Sequence, residues 1–191
     1  MREKGFLRNQ LFYCDHISES DDLYSFYIEK ETGKGLEIYL KSFALKDEEA
    51  NMARTYLVKS NDTDEIVGYF TLKAGSYAYN ETGNLFHRRF DTGPGIELAD
   101  FAVNDRYLKR YQMARGVGYI IFLGFVLKVV TNVSKEIGIN ILYIFALPFP
   151  KVISRYIDYG FIRLPKKQER LLHRRIKPNY DQGCIFMYMK I

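Results

Sequence analysis

The sequence predicts a mixed α+β protein built on one partly parallel sheet, and three observations point to it. Arg54–Lys59 and Ile66–Lys73 alternate with period two around the turn-forming cluster Asn61, Asp62, Thr63 and Asp64, which reads as an antiparallel hairpin. Further on, the apolar stretches Ile96–Val103 and Ile139–Ala146 read as strands on either side of a long, mostly apolar helix, Gly116–Glu136, so strand and helix alternate as in a crossover unit. The 191 residues are 47% apolar and 27% charged. That is the composition of a globular chain able to bury about 70% of its unfolded surface. No repeat or long linker divides it, so residues 1–191 read as one domain, with 1–10 an N-terminal extension.

Each element has a local reason. Leu11–Asp15 is a short apolar stretch suited to a first strand. Asp21 and Asp22 can cap a helix through Leu23, Phe26 and Tyr27 that ends near the Gly33–Lys34–Gly35 turn signal. Leu36, Tyr39, Leu40, Phe43 and Ala44 recur on one face of a second helix, Leu36–Asp47. Asn80–Pro94 is polar and glycine-bearing and reads as a loop. Pro148 and Pro150 open a short helix, since proline suits the first helical turn. Gly160–Leu164 and Cys184–Ile191 read as the last strands, and residues 165–182 between them as a basic insertion, helical over Lys166–Lys177.

Several function classes drop out. Cys14 and Cys184, a lone distant pair, read as reduced thiols. Met1–Gln10 is charged and lacks a signal-peptide core, and the longest apolar run, Gly116–Leu127, is shorter than the roughly 20 residues a bilayer span needs. The expected location is the cytoplasm, with no membrane partner. His16, His87 and His173 have no ligand spacing with one another or with the cysteines, so no metal is expected. No phosphate-binding Walker loop or Gly-x-Ser-x-Gly elbow is present. The net charge of +5 suits an anionic cofactor or nucleic acid without selecting either.

Two stretches carry chemistry. Arg115, Gly116, Val117 and Gly118 stand at the head of the long helix, where glycines admit close backbone approach and the unpaired N–H groups of the first turn form an anion site. Arg115 adds charge-assisted hydrogen bonds to a phosphate. Taken alone, these residues also fit a plain turn into a core helix. The second stretch is Tyr156–Phe161, a helix end capped by Gly160, whose tyrosines equally suit packing against a sheet.

In order, strand Leu98–Val103, glycine turn, long helix, strand, short helix and Tyr-x-x-x-Gly-Phe resemble the GNAT family of acyl-CoA-dependent N-acetyltransferases, over about Arg54–Ile191. The family's (Arg/Gln)-x-x-Gly-x-(Gly/Ala) loop maps onto Met113–Gly118, and its Leu-Ala-x-x-Ala-Val strand onto Leu98–Val103. Met113 departs from the pattern, with Gln112 one residue early; the connection from Val103 to Gly116 is about five residues longer than usual, and Phe149-Pro150 replaces the common asparagine. The resemblance implies a mixed sheet splayed at its centre. It further implies acetyl-CoA as co-substrate, with the pantetheine arm along Phe101, Ala102 and Val103 and the pyrophosphate at Arg115, Gly116, Val117, Gly118 and Tyr119. Tyr156 falls where the family keeps a general acid, and Glu97 where histone-type members keep a general base.

A narrower resemblance, in Gly35–Asp47 and the hairpin after it, is to the subgroup containing type II toxins that acetylate aminoacyl-tRNA. It implies a primary amine on tRNA as acceptor, an antitoxin as partner and a second copy of the chain as another. Period-two alternation puts Glu97, Ala99 and Phe101 on one face and Leu98 and Asp100 on the other, so Asp100 is a second base candidate. An aminoacyl amine also has a low enough pKa to need no strong protein base. The run Lys166, Lys167, Arg170, His173, Arg174, Arg175 and Lys177, with Arg88 and Arg89, offers phosphate contacts or a solvated face. Arg106, Lys109 and Arg110 stand open to the same two readings. A small-molecule or protein amine is the alternative acceptor, and a noncatalytic binding protein on the same fold is the reading of another class.

Overall fold

The computed structural model describes residues 6–83, 88–112, 116–175 and 183–191. Eight strands form one mixed sheet in the order β1-β2-β3-β4-β5-β6-β8-β7. They are β1 Leu7–Arg8, β2 Phe12–His16, β3 Arg54–Ser60, β4 Ile66–Gly83, β5 Arg88–Val103, β6 Ile141–Ala146, β7 Ile162–Arg163 and β8 Ile185–Lys190. The expected hairpin is present: β3 pairs β4 antiparallel, with a bulge at Val58/Lys59. β5 pairs β6 in parallel over Gly95↔Ile141, Ile96↔Leu142 and Glu97↔Tyr143, and the register goes no further. The sheet is therefore mixed, as the alternation of strands and helices requires.

The chain packs as two compact units, Met1–Lys73 with Ala99–Val129, and Ala74–Leu98 with Val130–Ile191. The first unit is centred on Phe26, Leu40, Ala44, Leu57, Tyr69 and Ala102. Its helices are α1 Lys34–Ser42, α2 Ala44–Glu49 and α3 Asp105–Arg110. Tyr69 is fully buried, and its hydroxyl donates to the Leu36 carbonyl at 2.7 Å, which satisfies the one polar atom of that ring. In the second unit Ile141, Tyr143, Phe145, Leu164, Leu172, Cys184 and Phe186 cluster, with Leu172 anchoring the basic helix α7 Lys166–Arg175.

The long helix runs from Val117 to Glu136 as α4 Val117–Ile121, a π-helical turn Phe122–Val126 and α5 Leu127–Glu136. Although its longest apolar run is short, its full 20 residues are apolar enough, by length and composition alone, to cross a membrane. Val117, Ile121, Phe122, Phe125, Val126, Val129 and Val130 are nevertheless buried, which is the stripe of a core helix.

Three expectations are corrected. The loop expected over Asn80–Pro94 is largely strand: β4 extends to Gly83 and β5 starts at Arg88, because polar residues suit strands with a solvated face. The helix expected through Leu23, Phe26 and Tyr27 is only a 3₁₀ turn, Leu23–Ser25, and Phe26 is already extended. Tertiary hydrogen bonds hold the chain extended there: the Tyr27 N–H donates to Asn104 Oδ1 and the Ile28 N–H to Glu37 Oε2. The helix expected over Leu36–Asp47 breaks at Phe43, which lies half exposed between α1 and α2 instead of on the buried face. The longer connection after Val103 forms α3 over Asp105–Arg110. Asn104 caps it by accepting from the Arg106 N–H at 3.1 Å.

Candidate active site

In the first unit the end of β5 and the start of α4 supply the expected cofactor residues. Ala102 is buried in the core, while Phe101 and Val103 are part-exposed. Phe101, Ala102 and Val103 follow the Gly95–Glu97 stretch of β5 that pairs with β6.

The strand end is fixed by a residue that motif reading passed over. The buried side chain of Asn104 accepts from the Tyr27 and Arg106 N–H groups and donates to the Ile66 carbonyl at 2.7 Å. Its backbone N–H donates to the Val67 carbonyl at 2.8 Å. A lone asparagine after a strand is a cap signal, and it was available in the sequence.

Gly116 precedes α4 with φ +111° and ψ −2°, a left-handed conformation that favours glycine. Its carbonyl accepts from the Ile120 N–H at 3.0 Å, closing the first helical turn. Val117 is buried and points the turn inward, Gly118 is part-exposed, and Tyr119 is 45% exposed. The N–H groups of such a first turn have no intrahelical acceptor. Arg115 and Met113 lie outside the described residues.

The cations of α3 are largely committed. Lys109 pairs with Glu29 at 2.6 Å and Arg110 with Glu65, while the Arg106 guanidinium lies 5.6 Å from the centre of the Tyr27 ring. A cavity of about 430 Å³ beside them is lined by Asp22, Tyr24, Glu65, Asn104, Arg106 and Arg110, with none of the expected cofactor residues. Asp100, the second base candidate, faces two tyrosines. Burial foremost, then its charge, pushes the phenols of Tyr39 and Tyr69 up.

In the second unit, α6 Pro150–Asp158 carries Tyr156. No side chain caps α6 in place of the usual asparagine. The Phe149 carbonyl accepts from Val152 and Ile153 N–H at 2.9 and 3.0 Å, and Pro150 needs no acceptor. Tyr156 is 8% exposed, edge-on to Tyr159 at 5.9 Å and to Phe161 at 5.4 Å. Gly160 ends the helix with φ +96°, and Tyr159, as buried as Tyr156, has its phenol pushed up chiefly by burial. Glu97 is part-exposed, directly opposite Tyr143 in the register, and hydrogen-bonded to that hydroxyl.

On α7, Lys166, Lys167 and Arg170 are exposed, whereas Arg163 is engaged by Glu169 at 3.2 Å. His173, Arg174 and Arg175 are helical, Arg88 and Arg89 begin β5, and Lys177 and His87 lie outside the described residues. Among the described residues no three His, Cys, Asp or Glu side chains gather as a metal site.

No family model matches the chain. Solved structures do. A tyrosine-to-phenylalanine mutant of KacT superposes with a TM-score of 0.68 at 20% identity, covering 95% of each chain. AtaT complexed with acetyl-methionyl-tRNAfMet gives 0.66 at 17% identity, covering 94% of each. A tyrosine-to-phenylalanine mutant of the AtaT toxin, bound to the C-terminus of the antitoxin AtaR and acetyl-CoA, gives 0.64 at 18%, covering 94% of this chain and 92% of that one. At this identity the likeness establishes the fold: the chain has the GNAT fold of these proteins.

Proposed function

We propose that the protein is an acetyl-CoA-dependent N-acetyltransferase whose acceptor is the amino group of an aminoacyl-tRNA. The observation that carries this reading is the left-handed Gly116, which opens the long helix that follows β5 and α3. A helix start opened by a left-handed glycine suits close backbone approach to a pyrophosphate. AtaT, which shares the fold, binds acetyl-CoA in one structure and acetyl-methionyl-tRNAfMet in another, which supports the choice of both substrates.

In this reading Phe101, Ala102 and Val103 hold the pantetheine arm through their backbone, and Arg115, Gly116, Val117, Gly118 and Tyr119 hold the pyrophosphate. The acceptor amine attacks the thioester carbonyl and forms a tetrahedral intermediate, and Glu97 takes the proton that the nitrogen sheds. As the C–S bond breaks, Tyr156 donates its proton to the departing thiolate. The rest of the rate comes from holding amine and thioester together, with backbone N–H groups near Val103 stabilising the oxyanion. The exposed cations of α7 contact the tRNA backbone. We place the protein in the cytoplasm, with an antitoxin as its binding partner, as AtaR is for AtaT.

The test is transfer of label from [¹⁴C]acetyl-CoA to a panel of aminoacyl-tRNAs, uncharged tRNA and free polyamines. Label on aminoacyl-tRNA alone supports the reading. Label on a small amine redirects it to the alternative acceptor. Acetyl-CoA that fails to bind by calorimetry leaves the noncatalytic binding protein.

A further inference from the structure

We infer that Tyr143 is a positioning residue for Glu97, and that Gly75 and Gly95 are glycines so that the tyrosine hydroxyl can reach that carboxylate. The inference rests on the proposal that Glu97 takes the proton of the amine.

Glu97 and Tyr143 are partners in the parallel register, and partners in register project from the same face of a sheet. Two residues before Glu97, on that same face, stands Gly95. A Cβ there would lie 3.0 Å from Cδ1 and 3.1 Å from Cε1 of the Tyr143 ring, so the ring lies across β5 in the space a side chain would fill. The lane continues onto β4. A Cβ on Gly75 would collide with the Tyr143 hydroxyl oxygen and stand 3.0 Å from Cζ. One tyrosine thus spans from β6 over β5 to β4, through two positions stripped of side chains.

The ring is held from the other side by Phe186, stacked at 5.4 Å, and by Phe145, edge-on at 6.0 Å. Tyr143 is 3% exposed, so its hydroxyl has few alternatives to the Glu97 carboxylate, to which it is hydrogen-bonded. Burial, reinforced by the Glu97 charge, keeps the phenol protonated far above the physiological range. It is therefore a fixed donor. A glutamate on a strand has three rotatable side-chain bonds, and a base must meet its proton within hydrogen-bond reach. One rigid donor on the carboxylate selects among those rotamers, and the packed ring supplies that rigidity.

The test is a double-mutant cycle in the acetylation assay with Tyr143→Phe and Glu97→Gln, with folding followed by thermal melts. Tyr143→Phe keeps the ring and its packing. It is expected to lower kcat by roughly 10- to 100-fold with KM for acetyl-CoA unchanged, the scale of a misplaced catalytic group. In the Glu97→Gln background the same change is expected to cost nothing further. Gly75→Ala, which pushes the hydroxyl off its seat, should reproduce the kcat loss of Tyr143→Phe. Equal losses in both backgrounds, or an unchanged kcat in Tyr143→Phe, overturn the inference. If Glu97→Gln turns over at the wild-type rate, the base assignment falls and the positioning role with it. In that case a shift of the Tyr143 signal in [¹³Cζ]tyrosine NMR on Glu97→Gln would mark the hydrogen bond as structural only. A wild-type protein that transfers no acetyl group to any amine overturns the enzyme reading instead, and the NMR arm separates that failure from loss of the hydrogen bond.

Discussion

Ile121 of α4 packs its side chain onto the bare α-carbon of Gly68 in β4. A Cβ at Gly68 would lie 2.7 Å from Ile121 Cδ1 and 2.8 Å from the Ala102 carbonyl oxygen. The isoleucine tip can rotate away, but the carbonyl belongs to the backbone of β5 and cannot. Gly68→Val should therefore destabilise the protein by about 1–3 kcal/mol, the cost of overpacking a closed core. Urea unfolding should show a lower midpoint with an unchanged slope; an unmoved midpoint would mean that helix and strand separate freely.

Much of this arrangement was legible beforehand, for reasons that lie in particular residues. The hairpin Arg54–Lys73 announces itself because its period and its turn chemistry agree. The long helix does so because its apolar stripe outruns any strand. Asn80–Pro94 misled because glycine and polar side chains mark loops on average, whereas Gly93 leaves room for the Tyr77 ring, whose Cε1 would lie 2.7 Å from a Cβ there. Glycine as a seat for a neighbour and glycine as a turn look identical in one dimension. The same limit hid the Glu97–Tyr143 pairing, since parallel register across some 45 residues leaves no local trace. Leu23–Tyr27 failed for another reason: the acceptors that hold it extended, Asn104 and Glu37, come from elsewhere in the chain.

Glu37 makes stability depend on pH. Burial would raise its carboxyl, but the hydrogen bonds from Lys41 at 2.6 Å, the Ile28 N–H at 2.9 Å and Lys34 at 3.0 Å outweigh burial and hold it at about 2 against an ordinary 4.5. A carboxylate with a depressed folded-state pKa contributes stability that is complete above its unfolded value and is lost as pH falls toward the folded one. The melting temperature should drop between pH 4.5 and 2, and Glu37→Gln should flatten that part of the curve. An equally steep curve in the variant would assign the acid sensitivity to other groups.

Gly116 offers a clean probe of the proposed cofactor site. With φ at +111° any other residue is strained, yet among the described residues, its chain neighbours and its own helix backbone aside, no atom lies within 4 Å of where its Cβ would be. Gly116→Glu should cost about 1–3 kcal/mol of backbone strain and leave the protein folded. Acetyl-CoA binding should vanish by calorimetry, because bulk and negative charge then stand where a phosphate must approach the helix. Unchanged affinity would remove the pyrophosphate from this turn.

The exposed cations of α7 should be read out by salt. Each phosphate neutralised on RNA adds roughly 0.7–0.9 to the slope of log affinity against log salt. Replacing Lys166, Lys167 and Arg170 together with serine should weaken tRNA binding and lower that slope by about 2–3. Leu172 keeps α7 anchored, so circular dichroism should not change. A slope identical to wild type would assign this helix to solvent.

Tyr156 carries the last prediction. It and Tyr159 are equally buried, three residues apart around the end of α6, so accessibility does not tell acid from packing residue. The chemistry does. A phenol can protonate a thiolate that otherwise leaves poorly from a dry site, provided it meets the sulfur. Tyr156→Phe keeps the ring and its edge-on contacts with Tyr159 and Phe161, so melting temperature and acetyl-CoA affinity should hold. Turnover should fall by roughly 10²–10⁴, the range for a positioned acid. Tyr159→Phe loses the same atom from the same helix and should cost little. If the two variants lose activity equally, the hydroxyls serve packing. If neither loses it, water protonates the thiolate.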